Sequence, residues 1–346
     1  MTLPKRFLKP DGFDFPKFFT NEDGKQIRYG TAQPQGKSRG TVVLTTGYAD
    51  FTETYFETIQ DFIDRGFTVH MMDWQGQGGS ERYYENPRIP SPEGPYHNIR
   101  DLHQFLHEIV KPEKDKPVFL ASHSMGGQMA LHYLREHPGD FDGAMLATPF
   151  VDTVKMPPVK GFLSRAFMEA ACKLGLGHKR MTRKNIVRRI KKEREVLKTD
   201  EPVRMRLHQY FADLNPGLKL GDPTFLWIRN MTRRADVMRS EKVLKSIDTP
   251  VLMAICEKDR LVNNDAIRRA ADLLPKGELI EIKDGYHGLW TERQKIRDQW
   301  FARIDSFIEG IEKQRKPAAE NDNKKANNPA APAVKQVRPK QNSPKK

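Results

Sequence analysis

Cysteine is scarce in this chain of 346 residues, which contains only Cys172 and Cys256. Two cysteines so far apart indicate no disulfide framework, so we expect a chain that folds in a reducing compartment, the cytoplasm. Long hydrophobic runs are also missing, and no stretch approaches the roughly 20 apolar residues that span a bilayer. The N-terminal segment MTLPKRFLKP has no continuous apolar core, and we expect no cleaved signal peptide. These absences argue against a disulfide-rich secreted domain and against a membrane-spanning protein.

The positive charge of the chain is unevenly distributed. The formal net charge is +14, yet residues 151–240 alone hold 21 Lys and Arg against 9 Asp and Glu. Residues 314–346 hold 9 against 2, which leaves the rest of the chain slightly acidic. A basic segment beside an acidic body favours contact with an anionic surface or ligand. No nucleic-acid-binding motif accompanies the charge, so we expect no nucleic acid partner.

Apolar segments with the period of a strand alternate with amphipathic segments with the period of a helix. The candidate strands are 26–30, 40–45, 67–73, 117–122, 143–147, 250–255 and 278–282, and the candidate helices are 53–65, 97–110, 125–137, 264–273 and 291–311. This alternation predicts an α/β fold with a mostly parallel central sheet that is flanked by helices on both faces.

A long segment interrupts the alternation and divides the chain. We predict a core formed by residues 1–150 and 236–313, an inserted helical cap or lid at 151–235, and a disordered basic tail at 314–346. Within the cap, residues 183–198 place apolar side chains on one face and Arg and Lys on the other. This pattern indicates either a helix packed in the cap or a helix that also contacts an anionic membrane. The tail is too polar to bury a core.

The segment FLASHSMGG at 119–127 carries the most specific signal in the chain. It predicts a buried strand that ends in a tight small-x-Ser-x-Gly turn and continues directly into a helix. Such a turn exposes the hydroxyl of its central serine and places the next backbone N–H at the start of the helix. Ser124 is therefore the candidate nucleophile, and the N–H of Met125 is a candidate donor for an oxyanion hole.

A serine hydroxyl needs a base to remove its proton, and the base needs an acid to orient it. The candidate base is His287, which lies in the short loop DGYHG after the strand at 278–282. Three carboxyl groups are close enough in the sequence to be the acid: Glu257, Asp259 and Asp284. We favour Asp259, because the strand at 250–255 delivers it to the carboxyl edge of the sheet.

The second donor of the oxyanion hole is expected in the turn Thr46-Gly47-Tyr48, which follows the strand at 40–45. We assign this role to the N–H of Tyr48, because the glycine before it lets the backbone approach a substrate closely.

These residues, together with the turn DWQGQGGS at 73–80, resemble the α/β-hydrolase family, in particular its lysophospholipase and monoacylglycerol lipase branch. The resemblance extends over about residues 24–313 and includes a helical cap. It implies a serine hydrolase that cleaves the carboxylic ester of a lysophospholipid or a monoacylglycerol through an acyl-enzyme on Ser124. No cofactor and no metal are implied. Asp73 is expected to organise the glycine-rich turn by accepting backbone hydrogen bonds.

Two residues depart from the family pattern. Ser122 stands where the family usually has glycine, which predicts a slightly wider corner at the nucleophile. Gln75 stands where relatives often carry arginine, which predicts looser packing of the glycine-rich turn.

Apolar residues of the cap are candidates for substrate binding. Phe162, Leu163, Phe167 and Met168 of the cap are candidate lining of an acyl tunnel, with cap core as the alternative role. A short-chain carboxylesterase acting on a small soluble ester is the main alternative function, and a non-enzymatic binding module on a degenerate fold is the other. The basic cap also predicts peripheral contact with the inner face of an anionic membrane.

His103 and His107 lie four residues apart on a predicted helix, which is the spacing of a paired metal ligand. The sequence places no third ligand beside them. We therefore predict two solvated side chains on a helix face and no metal site.

Overall fold

The computed structural model describes residues 2–91, 96–152, 158–180 and 199–326 of the chain. At its centre lies an eight-stranded sheet. The strands are β1 (Asp14–Thr20), β2 (Gln26–Ala32), β3 (Gly40–Thr45), β4 (Phe67–Met72), β5 (Val118–His123), β6 (Gly143–Ala147), β7 (Val251–Cys256) and β8 (Gly277–Ile282).

The strands follow the order β1-β2-β4-β3-β5-β6-β7-β8 across the sheet. From β4 to β8 every neighbouring pair is parallel, whereas β2 pairs antiparallel with both β1 and β4. Every residue of β3 through β7 is buried, because helices cover both faces. The predicted α/β fold with a mostly parallel sheet is confirmed. Since β3 lies directly beside β5, the loops that follow these two strands are neighbours.

The first strand was not predicted from the sequence. Pro16 interrupts its pattern, and a proline within a strand removes a ladder donor, which argues against a strand in the sheet interior. The structure resolves the conflict by placing β1 at the edge of the sheet, with a register shift between Asp14 and Lys17 opposite β2. An edge strand tolerates both the proline and the irregularity.

The described helices are α1 (Phe56–Asp64), α2 (Tyr96–Gln104), α3 (Met125–Glu136), α4 (Pro158–Lys173), α5 (Pro202–Leu214), α6 (Phe225–Met238), α7 (Glu241–Leu244), α8 (Asn264–Leu273) and α9 (Gln294–Ala326). A π-helical segment, Phe105–Val110, continues α2. Short 3-10 turns occupy Lys5–Phe7, Thr52–Tyr55, Pro216–Leu218 and Leu289–Thr291. In the described part of the chain, none of these helices has the length and hydrophobicity of a membrane span.

Helices α4 and α5 and most of α6 lie in the segment 151–235 that the sequence predicts as a cap, and α6 continues beyond it to Met238. The basic segment at 183–198 falls outside the described residues. A buried ion pair anchors the cap to the core, since Arg204 of α5 donates two hydrogen bonds to Glu57 of α1, at 2.8 and 2.7 Å. The ring of Tyr48 lies 4.4 Å from that of Trp227 in α6, so the loop after β3 also contacts the cap.

The end of the chain differs from the expectation of a disordered tail from residue 314. Helix α9 begins at Gln294 and is continuous to Ala326, beyond the predicted helix end at 311. The apolar residues that hold α9 on the sheet include Trp300 and Ile304, which are fully buried. The rest of the tail, 327–346, lies outside the described residues.

The expected role of Asp73 agrees with its contacts. One carboxylate oxygen accepts from the N–H of Gly79 at 2.8 Å, and the other accepts from the N–H and hydroxyl of Thr52, both at 2.9 Å. Arg28 donates to the same carboxylate through Nε at 2.7 Å and forms a bidentate pair with Glu53 at 2.7 and 2.8 Å. This buried network fixes the glycine-rich turn after β4.

Candidate active site

Ser124 occupies a strained backbone position between β5 and α3. Its φ of 49° lies in a region that side-chain-bearing residues rarely adopt and that costs about 1–3 kcal/mol. Close packing holds the turn in place: a Cβ on Gly126 would lie 2.6 Å from the carbonyl oxygen of Thr46, and one on Gly127 would lie 2.5 Å from Cβ of Pro149. The two glycines let α3 start directly beneath the serine, so that its hydroxyl projects from the sheet edge.

The departure at Ser122 places a side chain in the strand just before the nucleophile. The side chain is fully buried, and its hydroxyl lies 2.7 Å from the hydroxyl of Thr45 on the neighbouring strand β3. This hydrogen bond joins β5 to β3 at a position where a glycine would have no side chain.

The structure brings the three predicted side chains together in one hydrogen-bonded chain. Nε2 of His287 lies 2.8 Å from Oγ of Ser124, and Nδ1 lies 2.6 Å from Oδ2 of Asp259. Nδ1 carries the proton, because a carboxylate only accepts, and Nε2 is then free to accept from the serine hydroxyl. The side chains of His287 and Asp259 are 4% and 0% exposed, so water does not compete for this contact.

Asp259 is held in its ionised form. Burial raises its pKa, but the contact with His287 and the backbone N–H groups of Leu261 and Val262 outweigh burial and leave the pKa below its ordinary value. The N–H of Leu261 donates to Oδ1 at 2.7 Å. A carboxylate that stays charged at neutral pH can stabilise a developing imidazolium.

The other two candidate acids lie elsewhere. Glu257 accepts from the N–H of Asp284 at 3.0 Å on the exposed rim, and the carboxylate of Asp284 pairs with Lys258 at 2.9 Å. Only Asp259, of the three, contacts His287 through its side chain.

Two residues that were not predicted fix the backbone of His287. Its carbonyl oxygen accepts from Nε2 of His123 at 3.0 Å and from the hydroxyl of Thr148 at 2.8 Å. The ring of His123 also lies 3.1 Å, through Nδ1, from Oδ2 of Asp50. His123 precedes Ser124 at the end of β5, and successive strand residues point to opposite faces. The strand pattern therefore predicts on which side of the sheet His123 lies, but not its partner. That partner, the carbonyl of His287, is 164 residues away in the chain.

The turn at 46–48 lies directly beside Ser124, since a Cβ on Gly47 would lie 3.3 Å from Cβ of the serine. Side chains of the glycine-rich turn hold it there. Trp74 donates through Nε1 to the carbonyl of Thr46 at 2.9 Å, and Gln77 donates to the carbonyl of Gly47 at 2.7 Å. Met125 is the first residue of α3, where a backbone N–H has no acceptor within the helix. This backbone can supply hydrogen-bond donors to an anionic oxygen.

A narrow pocket opens beside Met125 and Tyr48. Its lining combines apolar and polar side chains, namely Tyr48, Gln75, Gln77, Pro90, Ser91, Asn98, Met125, Leu220, Trp227 and Met231, with the backbone of Gly76. Gln75 is not loosely packed, because it is 3% exposed and accepts from Asn21 at 3.0 Å. The Oδ1 atom of Asn98 is buried and has no hydrogen-bond partner among the described residues. The pocket therefore offers polar contacts to a ligand.

The candidate acyl-tunnel residues on α4 differ in their exposure to solvent. Met168 is 5% exposed, whereas Leu163 and Phe167 are 59% and 61% exposed and face solvent. These two lie four residues apart on the outer face of the helix, so in the described structure they do not line an enclosed channel. The side chain of Phe162 falls outside the described residues.

A match to a family profile agrees with the arrangement of Ser124, His287 and Asp259. The profile described as "Serine aminopeptidase, S33" matches residues 36–294, three quarters of the chain. The chain belongs to this α/β-hydrolase family. The description of the profile names a peptidase, but the relatives of this S33 hydrolase include lipases.

Two curated relatives match this S33 hydrolase over most of their length. Lysophospholipase L2 of Escherichia coli K12 is 27% identical over 310 residues, covering 84% of this chain and 86% of the relative. Monoglyceride lipase of Homo sapiens is 23% identical over 299 residues, covering 83% and 88%.

A solved structure shares the fold of this S33 hydrolase. A soluble variant of monoglyceride lipase from Saccharomyces cerevisiae superposes with a TM-score of 0.65 at 17% identity, covering 86% of this chain and 96% of the other. Together the family and its relatives identify the chain as a carboxylic-ester hydrolase.

Proposed function

We propose that this enzyme cleaves the acyl ester of a monoacyl lipid, a lysophospholipid or a monoacylglycerol, through an acyl-enzyme on Ser124. The observation that carries the proposal is the unbroken chain of hydrogen bonds from Asp259 through His287 to the Ser124 hydroxyl. A buried relay that ends on a strained serine at a helix start suits nucleophilic attack on a carbonyl.

In the first half of the reaction, Nε2 of His287 removes the proton of Ser124 as Oγ attacks the ester carbonyl. The carbonyl oxygen becomes an oxyanion and accepts from the N–H groups of Tyr48 and Met125. Collapse of this intermediate breaks the bond to the alcohol oxygen, which takes the proton from His287. The alcohol, a glycerol or glycerophospho compound, leaves and the acyl group stays on the serine.

In the second half, His287 removes a proton from water, and the hydroxide attacks the acyl carbonyl. The same N–H groups hold the oxyanion, and the proton on Nε2 passes to Oγ of Ser124 as the fatty acid leaves. Asp259 keeps the imidazole in the required tautomer in both halves and stabilises its positive charge.

The mixed lining of the pocket beside Met125 suits an amphipathic substrate, but the space is only about as large as one water molecule and has to widen before an ester enters. Trp227, Met231 and Leu220 provide apolar contacts, and Asn98 and Gln75 provide polar atoms for hydroxyl groups of the alcohol. A buried polar atom without a partner costs free energy until a ligand supplies one, so the orphaned Oδ1 of Asn98 favours a hydroxyl-bearing ligand. The names of the curated relatives, a lysophospholipase and a monoglyceride lipase, point to the same substrate class.

The proposal is tested with a matched panel of esters. Lysophosphatidylcholine and monoacylglycerol with one palmitoyl chain are compared with their acetyl and butyryl analogues and with diacyl phosphatidylcholine. We expect kcat/KM for at least one palmitoyl monoacyl lipid to exceed that of its acetyl analogue by at least about tenfold, because each additional buried methylene contributes about 0.8 kcal/mol.

The panel also separates the alternatives. A preference for acetyl and butyryl esters would identify a short-chain carboxylesterase instead. Covalent labelling of Ser124 by a fluorophosphonate, located by mass spectrometry, excludes a binding module without catalytic function. Absence of labelling, together with no turnover of any ester, would contradict the proposed mechanism.

We further propose that the outer face of α4 rests on an anionic lipid surface. Leu163 and Phe167 are 59% and 61% exposed and lie about one turn apart on the same side of α4, and Leu174, which is 75% exposed, directly follows the end of the helix at Lys173. The surrounding segment 151–240 is strongly basic. Exposed apolar side chains beside positive charge favour binding to the headgroup region of anionic membranes.

Sedimentation with vesicles tests this contact. We expect the enzyme to bind phosphatidylglycerol-containing vesicles at about 50 mM NaCl and to dissociate at about 1 M, where the Debye length falls to about 3 Å. Phe167→Ser is expected to weaken binding several-fold, whereas Phe18→Ser, at a 50% exposed phenylalanine on β1, leaves it unchanged. Binding that is equal at both salt concentrations, or equal for the two variants, would refute the contact.

A further inference from the structure

A cluster of histidines and a carboxylate lies at the end of α3 that is remote from Ser124. His103 belongs to α2, His107 to the π-helical segment that continues it, and Asp140 to the loop after α3. Each offers one ligand atom, and these atoms lie within 4.8 Å of one another. Helix α3 has 12 residues and is about 18 Å long, so the cluster is separate from the active site.

The two distances from Asp140 to the histidines match those between neighbouring ligands of a tetrahedral metal site, and all three ligand atoms lie within 4.8 Å of one another. Nδ1 of His103 lies 3.4 Å from Oδ2 of Asp140, and Nε2 of His107 lies 3.1 Å from the same oxygen. Zn²⁺ binds imidazole nitrogen and carboxylate oxygen at about 2.0–2.2 Å, which places neighbouring ligands of a tetrahedron about 3.3 Å apart. The two imidazole rings are 4.3 Å apart between centroids. An ion therefore fits between the three side chains with small side-chain rotations.

The local backbone is unusual at this point. The helix changes from α to π between the two histidines, and the N–H of Lys111 bonds to the carbonyl of Leu106 at 2.9 Å, five residues back. Single π-helical turns often occur at functional sites. Contacts between α2 and α3 bring the loop with Asp140 next to the histidines. The spacing of residues in the sequence therefore could not predict the third ligand.

A hydrogen-bonded neighbour supports the ligands. The Tyr133 hydroxyl donates to Oδ2 of Asp140 at 2.6 Å and lies 3.2 Å from Nδ1 of His103. The ring of His137 stacks on His103 with centroids 4.1 Å apart. Without a metal, Tyr133 accepts from His103 and donates to Asp140. With a metal, its bond to Asp140 orients the carboxylate, as outer-sphere partners of metal ligands commonly do.

We propose that His103, His107 and Asp140 form a site for a divalent transition metal, with Zn²⁺ as the best match to two imidazoles and a carboxylate. The bound ion joins the α2 segment to the loop after α3, and water completes its coordination. Its role is structural, because no ligand contacts the catalytic relay. The proposal is independent of the substrate proposed above.

Zinc titration of the metal-stripped full chain tests this site. We expect one Zn²⁺ per wild-type chain, a rise in Tm on addition of ZnCl₂, and visible absorption bands when Co²⁺ replaces Zn²⁺. His107→Gln changes a side chain that is 48% exposed and should fold normally. It is expected to weaken Zn²⁺ binding by at least about tenfold and to abolish the Tm rise.

His178→Gln is the matched control, because His178 lies in the cap and contacts Tyr84 rather than the cluster. It should bind Zn²⁺ like the wild type. A second variant, His103→Gln, should repeat the loss seen for His107→Gln. The site is refuted if the wild type binds Zn²⁺ no more tightly than His107→Gln, or if all variants bind it equally.

Discussion

Replacement of Ser124 by alanine is expected to abolish ester hydrolysis and leave the chain folded. The hydroxyl oxygen is the atom proposed to attack the ester, and no neighbouring group replaces it. We expect kcat to fall by at least about 10³-fold, which corresponds to about 4 kcal/mol of transition-state stabilisation. Alanine keeps the Cβ of serine, so the strained backbone at φ 49° is neither relieved nor made worse. Steady-state hydrolysis and circular dichroism measure the two effects.

The same turn offers a matched control, Ser122→Ala. This serine lies two residues earlier, is fully buried, and contacts the hydroxyl of Thr45 rather than His287. Its loss removes one hydrogen bond, at about 1 kcal/mol of stability, and should change kcat only a few-fold. Turnover retained by Ser124→Ala, or an equal loss in both variants, would contradict the assignment of the nucleophile.

Replacement of Arg28 by methionine is expected to destabilise the fold by about 3–5 kcal/mol. Arg28 lies between Asp73 and Glu53, and the three side chains are 6%, 0% and 13% exposed. Methionine fills much of the space but leaves two buried carboxylates without their counter-charge. Because Asp73 also holds Gly79 and Thr52, the glycine-rich turn beside the active site is expected to lose order. Urea denaturation at neutral pH measures the free energy of unfolding.

Arg39→Met provides the contrast. Arg39 also forms a two-point contact with a carboxylate, that of Glu312 at 3.2 and 2.9 Å, but its side chain is 40% exposed. Solvent screens this pair, and its loss should cost no more than about 1 kcal/mol. If the two substitutions lowered the free energy of unfolding equally, the buried ion pairs of Arg28 would contribute no more to stability than the exposed pair of Arg39.

Local patterns in the sequence were sufficient for the core of the fold. The strand at 143–147 and the helix at 264–273 have the predicted bounds, because their apolar periods agree with their final burial. The prediction failed where two signals conflict. Pro16 argues against a strand, and only pairing at the sheet edge made β1 acceptable.

The sequence by itself pointed to Ser124 and His287 and favoured Asp259 among three carboxyl groups, and the contact of Asp259 with His287 in the tertiary structure decided between them. Ser124, Asp259 and His287 each follow a strand of a parallel sheet, and such strands end at one edge, so their order in the chain was enough to place them together. The position of Leu163 and Phe167 was not determined in this way, since an apolar residue on a cap helix faces either a tunnel or solvent. Helix packing decided that they face outwards.

Contacts between residues distant in the chain were decided only by the tertiary structure. His123 and Thr148 hold the carbonyl of His287 from positions more than a hundred residues away, and Asp140, in the loop after α3, lies beside His103 and His107. Periodicity fixes which face of an element is buried. It does not specify which side chain of another element lies opposite, because that depends on how the elements pack in three dimensions.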